Sequence, residues 1–136
     1  MTALVIDSSV ILASLFEEER TPEVLAVRRR VATDGALVPT LWVLEIANVL
    51  LMAERRCRMT QAYRLASLND LAALPIVTDT ETGARAWNDT LRLAETHRLT
   101  VYDATYLELA LRRGLPLASL DRDLCAAASA RGVPLL

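Results

Sequence analysis

Lysine is absent from this chain: all 15 basic residues are arginine. Any chemistry that requires a catalytic lysine is therefore excluded. Aromatic residues are scarce, 4% of the chain with a single phenylalanine, so the core must be built from Leu, Ala and Val, as in helices packed on a sheet. Trp42, Trp87 and Tyr63 are not interleaved with basic residues and read as packing residues rather than a base-stacking platform. His97 is the only histidine and reads as a cation near a helix end. Cys57 and Cys125 lack metal-type spacing and suggest reduced thiols without chemistry. No apolar run reaches the roughly 18 residues of a membrane span, and the first residues lack the basic start and cleavage site of a signal peptide. A cytoplasmic protein without a membrane partner is expected. The net charge of -2 rules against coating nucleic acid through bulk charge, so any such contact must be local.

What is present alternates. Ala3 to Ile6 is an apolar run fit for a strand buried on both faces, followed by Asp7, Ser8, Ser9 and a helical segment to Phe16. Thr21 and Pro22 open a helix that runs towards Gly35, with Arg28, Arg29 and Arg30 on its wet face. Ala36 to Val38 is a second strand, and Pro39 and Thr40 start a helix to about Arg56 that is apolar almost all round except at Glu45 and Asn48. Thr60 begins a helix to about Leu74, Pro75 to Val77 form a third strand, and Thr78 with Glu81 fits a capping box opening a helix to Arg98. After the helix from Tyr102 to Arg113, Gly114 and Pro116 lead into a strand at Leu117 to Leu120, and a last helix runs to about Arg131 before a terminal edge. With no repeat, linker or low-complexity stretch, the 136 residues read as one α/β domain with a parallel sheet between helices.

Between Tyr102 and Arg113, Thr105, Glu108 and Arg112 fall on one helical stripe, expected to face solvent, and Asp103 lies almost opposite it. A carboxylate on a buried side costs on the order of several kcal/mol unless it is paired or bound to a cation. Asp121 sits at the carboxyl end of its strand, the edge where open α/β sheets bind ligands. Asp7 ends a strand likewise, and Glu45 projects from the inward side of a helix that follows one. Each acid has a local excuse: Asp7 and Asp121 as helix caps, Asp103 in a capping box with Thr100, Glu45 hydrogen-bonded to Asn48 or backbone. Four such coincidences at one sheet edge suggest a shared cause. Carboxylates held together repel unless a cation sits between them, and without lysine a hard divalent ion such as magnesium or manganese is the economical one. Such a centre suits metal-assisted phosphodiester hydrolysis.

The segments LVIDSSV, PTLWVLEIANVL, VYDATYLELA and LPLASLDRDL resemble, in order and spacing, the four acidic motifs of PIN-domain proteins, specifically the small VapC-type toxins. The resemblance implies a PIN-like three-layer α/β/α fold, with a central parallel sheet of four to five short strands flanked by about seven helices. It implies that Asp7, Glu45, Asp103 and Asp121 are catalytic and bind Mg²⁺ or Mn²⁺, with Ser9, Asn48 and Ser119 in support. Ser119 stands where threonine is usual in the family. Asp123 is an extra acid, read as peripheral. The implied activity is endoribonuclease cleavage of structured RNA such as tRNA or rRNA, and the implied partners are a VapB-like antitoxin and a second copy in a homodimer. Arg112, Arg113 and Arg122 are candidate contacts to RNA phosphates, against a bland role at helix ends. Leu12, Leu15 and Phe16 would line an antitoxin groove or pack the core. Two rivals stand beside this reading. A receiver-like phosphoacceptor domain would need the missing lysine, and a non-catalytic PIN binding module would be expected to have lost acids.

Overall fold

The computed structural model describes residues 3–136. Four short strands, β1 (Leu4–Ile6), β2 (Ala36–Val38), β3 (Ile76–Thr78) and β4 (Leu117–Ala118), form a parallel sheet in the order β3-β2-β1-β4. Around it lie α1 (Ser8–Leu15), α2 (Pro22–Asp34), α3 (Leu41–Arg55), α4 (Gln61–Ala72), α5 (Thr82–Arg85), α6 (Leu91–His97), α7 (Val101–Arg113) and α8 (Arg122–Ala130). A π-helical turn, Ala86–Thr90, joins α5 to α6 in one rod, so the expected three-layer architecture with seven flanking helical rods is the observed one. The expected terminal edge reduces to an isolated parallel bridge between Leu117 and Leu135.

Local chemistry sets the element ends. Leu4, Val5 and Ile6 are fully buried, as befits a strand covered on both faces. Thr21 accepts the Val24 N–H at 3.1 Å with Pro22 behind it, and Thr60 and Thr100 cap α4 and α7 in the same way. Gly35 ends α2 at φ +80°, where a Cβ would also come within 3.1 Å of the Pro75 carbonyl oxygen. Leu107, Leu109, Leu117 and Leu124 are wholly buried, each contributing about 1.5–3 kcal/mol. β2 and β3 lie on one side of β1 and β4 on the other. The crevice beyond the carboxyl ends of β1 and β4 is therefore the point where strand order reverses.

Several sequence expectations are corrected. Thr105, Glu108 and Arg112 do not form a solvent stripe: Thr105 and Glu108 are buried, and the Arg112 guanidinium is held by Asp79 at 2.7 Å, Glu108 at 2.7 Å and Glu81 at 3.2 Å. The rod packs over that face of α7, so a stripe polar in sequence became an internal ion-pair cluster. The Thr78–Glu81 capping box does not form, because Thr78 ends β3 and the Asp79 carboxylate instead accepts the Glu81 N–H at 3.3 Å. Trp87 is 89% exposed rather than packed, and Tyr63 is half out, its hydroxyl donating to the Leu15 carbonyl; Trp42 alone is buried. Leu15 and Phe16 belong to the core and Leu12 packs against it. Among the described residues no helix is long and apolar enough to cross a membrane.

The Arg112 cluster generates a stability prediction. Arg112→Met strands two buried carboxylates and is expected to cost about 3–5 kcal/mol in urea unfolding at pH 7. The Arg112 hydrogen bond, foremost, holds the Asp79 carboxyl below its usual range. Its folded pKa is thus lower than its unfolded one, so this contribution is complete above about pH 4 and fades as pH falls through the folded value. Wild type should lose its advantage over Arg112→Met on the acid side; parallel stability curves would contradict the assignment.

Candidate active site

Asp7 emerges from β1 into the crevice, and its N–H donates to the Ala118 carbonyl of β4 at 2.9 Å. It precedes α1 without capping it. Instead Oδ2 accepts the Ser9 hydroxyl at 2.8 Å and the Ser119 hydroxyl at 2.7 Å. Those hydroxyls in turn accept backbone N–H groups, Ser9 from Leu120 and Ser119 from Asp121, each at 3.0 Å. A hydroxyl has one proton, so with its lone pair given to an amide that proton is left for Asp7. Asp7, 4% exposed, is thus fixed from the start of α1 and from the segment that follows β4.

The other three acids arrive from helices. Asp121 caps α8, with Oδ1 accepting the Leu124 N–H at 2.9 Å. Asp103 lies in the first turn of α7, its N–H capped by Thr100 at 3.0 Å. Glu45 is half-buried on α3, where its Oε1 accepts the hydroxyl of Tyr106, a fully buried residue of α7. Electrostatics links the four. Desolvation, then the charges of Asp7 and Asp103, push Glu45 above the usual carboxylate range. Desolvation, then Asp121, Asp7 and Asp123, do the same to Asp103. The Tyr106 hydroxyl is itself held protonated by burial and by Glu45.

The predicted residues therefore separate into two groups. Asp7, Glu45, Asp103 and Asp121, with Ser9 and Ser119, lie about the β1/β4 crevice, near enough for their charges to act on one another. Asn48 is exposed on α3, one turn past Glu45. The ion pairs of Arg112 occupy its donors, and Arg113 lies beside Asp79. Both stand about 14 Å along α7 from Asp103, so neither flanks the acids as sequence proximity suggested. Arg122 is exposed next to Asp121, and Asp123 is exposed yet bears on Asp103. Ser8 and Tyr106 escaped the sequence reading. The signal for Tyr106 was a hydroxyl three residues past Asp103 on an otherwise apolar helical face, which when buried needs a partner.

Among the described residues no three acidic, His or Cys side chains already close on a point as metal ligands do. The donor chemistry nevertheless fits a hard divalent cation. The groups are carboxylates, two of them raised by burial and then by one another's charge, and no arginine figures among the main influences on either.

A sequence model of the PIN domain matches residues 4–130. Ribonuclease VapC3 of Pyrobaculum aerophilum is 32% identical over 123 residues, spanning 89% of this chain and 91% of that protein. The crystal structure of PAE2754 from Pyrobaculum aerophilum shares the fold, with a TM-score of 0.70 at 23% identity over 98% of this chain and 83% of that one.

Because a raised carboxyl pKa favours the protonated folded state, the metal-free protein should lose stability as pH rises from about 4 through the raised folded values. Asp103→Asn removes one repelling charge and is expected to raise the melting temperature of the metal-free protein at pH 7, with the gain vanishing below about pH 4. A lower melting temperature for the variant at pH 7 would show that the acids are not in mutual repulsion.

Proposed function

The chain belongs to the PIN-domain family, and from that premise we propose that it is a Mg²⁺- or Mn²⁺-dependent endoribonuclease, the toxin of a VapBC-type toxin–antitoxin module. One observation carries the reading: four carboxylates lie about the crevice between β1 and β4, where burial first and the neighbouring carboxylates second raise Glu45 and Asp103 above the usual range. Asp7, Glu45, Asp103 and Asp121 would hold the ion, with residues 1–136 acting as one PIN domain. A divalent ion bound to them supplies a water of lowered pKa and stabilises charge on a phosphate during in-line displacement.

The chain's own residues supply order. Ser9 and Ser119 keep Asp7 aimed into the crevice, and the α8 cap leaves one oxygen of Asp121 uncommitted. Preset carboxylates spare the site from reorganising when substrate arrives. Arg122, exposed beside Asp121, is the remaining candidate among the three arginines for a substrate phosphate. Structured RNA such as tRNA or rRNA is the proposed substrate, a VapB-like antitoxin the proposed neutralising partner, and a homodimer the proposed assembly. The similarity to Ribonuclease VapC3 supports the ribonuclease reading.

Purified protein should cleave RNA with Mn²⁺ or Mg²⁺ and stop when EDTA is added. Asp7→Asn and Asp103→Asn should each lower the cleavage rate at least about 100-fold while keeping the far-ultraviolet circular dichroism of the wild type, the scale expected when electrostatic stabilisation is removed. Undiminished cleavage by both variants, or activity indifferent to EDTA, would overturn the proposal.

A further inference from the structure

Glu45 is the acid carried on the longest side chain of the four. Asp7 is clamped by two hydroxyls, and Asp121 is tied to its own helix start. Glu45 has a longer side chain on a half-open face of α3, between exposed Leu44 and exposed Ala47 and Asn48. Left alone, its carboxylate would gain rotamer entropy and hydration by swinging outward, away from Asp7 and Asp103. The Tyr106 hydroxyl stands against that.

Tyr106 is suited to act as an anchor. Its ring is fully buried in the middle of α7, with Leu107 and Leu109 beside it, so the hydroxyl is a fixed point rather than a mobile donor. α3 packs on α1 and α4, and α7 packs on β1, α6 and α8. The Tyr106–Glu45 hydrogen bond joins the two acid-bearing helices directly. The phenol occupies Oε1 and leaves Oε2 of Glu45 as its free oxygen. Ser8, buried next to Asp7, lies within reach of the same pair.

We propose that Tyr106 is a positioning residue that holds Glu45 in the acidic crevice, so that its free oxygen serves the same cation as Asp7, Asp103 and Asp121. It touches neither substrate nor ion and acts only through Glu45. This inference rests on the metal-dependent reading above.

The test is a double-mutant cycle read by isothermal titration with MnCl₂, without RNA. Tyr106→Phe removes the hydroxyl and keeps the ring, and should weaken Mn²⁺ binding about 10- to 100-fold, the range for partners that orient ligands. In a Glu45→Gln background the same change should alter affinity less than about 2-fold, because the group it acts through is gone. Glu45→Asp keeps the charge but shortens the reach to the hydroxyl, and supplies the comparison from the other side if Tyr106→Phe does not fold. It should weaken binding comparably, and excess Mn²⁺ should restore much of the RNA cleavage of either variant. Unchanged affinity in Tyr106→Phe, or an equal loss in both backgrounds, would overturn the proposal and reveal a purely structural tyrosine. Failure of wild type to bind Mn²⁺ would instead sink the metal-dependent reading, and this inference with it.

Discussion

Like charge gathered without a neutralising base is the constraint on which this molecule depends. Asp7, Glu45, Asp103 and Asp121 lie about the switch point of a four-stranded parallel sheet, and burial and mutual repulsion raise Glu45 and Asp103. Such a cluster opposes folding, since each carboxylate would be more comfortable in water. The fold answers with neutral donors. Hydroxyls of Ser9, Ser119 and Tyr106, and the backbone N–H at the start of α8, satisfy oxygens without cancelling charge. The negative charge is thereby left without a basic side chain among the main influences on Glu45 and Asp103.

A second cluster of acids has the opposite solution. Asp79, Glu81 and Glu108 surround the Arg112 guanidinium, and the Asp79 carboxyl falls below its usual range. The cluster ties the end of β3 to α7 and so helps fix the helix whose first turn carries Asp103. The chain thus holds two acidic groups, one paired with arginine and one held only by neutral donors. Only the latter lies at the reversal of strand order, where ligands enter open α/β sheets.

Much of this was legible in the residues. Period, Gly and Pro punctuation, and Thr caps located β1, α2, α4 and α7 within a residue or two, because those signals are local and were not contradicted by packing. Asp7 followed from its place at a strand end, whereas β4 stops at Ala118 rather than Leu120, so that Asp121 stands three residues beyond it as the cap of α8. The rod from Thr82 to His97 was misjudged at its start because Asp79, drawn to Arg112, displaced the local Thr78–Glu81 pairing. Trp87 was misplaced because an aromatic in a helix gives no sign of which face meets the core until the neighbours are known.

The sequence by itself determined the element order, the absence of lysine, and the positions of four acids after or beside strands, since each depends on neighbours within a few residues. Tertiary structure decided the pairings. Ser119 reaches Asp7 across 112 positions and Tyr106 reaches Glu45 across 61, while Arg112 was drawn to Asp79 from 33 away. Long-range hydrogen bonds of this kind follow from the packing of helices on the sheet. A side chain's chemical type says what it can bond, and only the fold says which partner stands within reach.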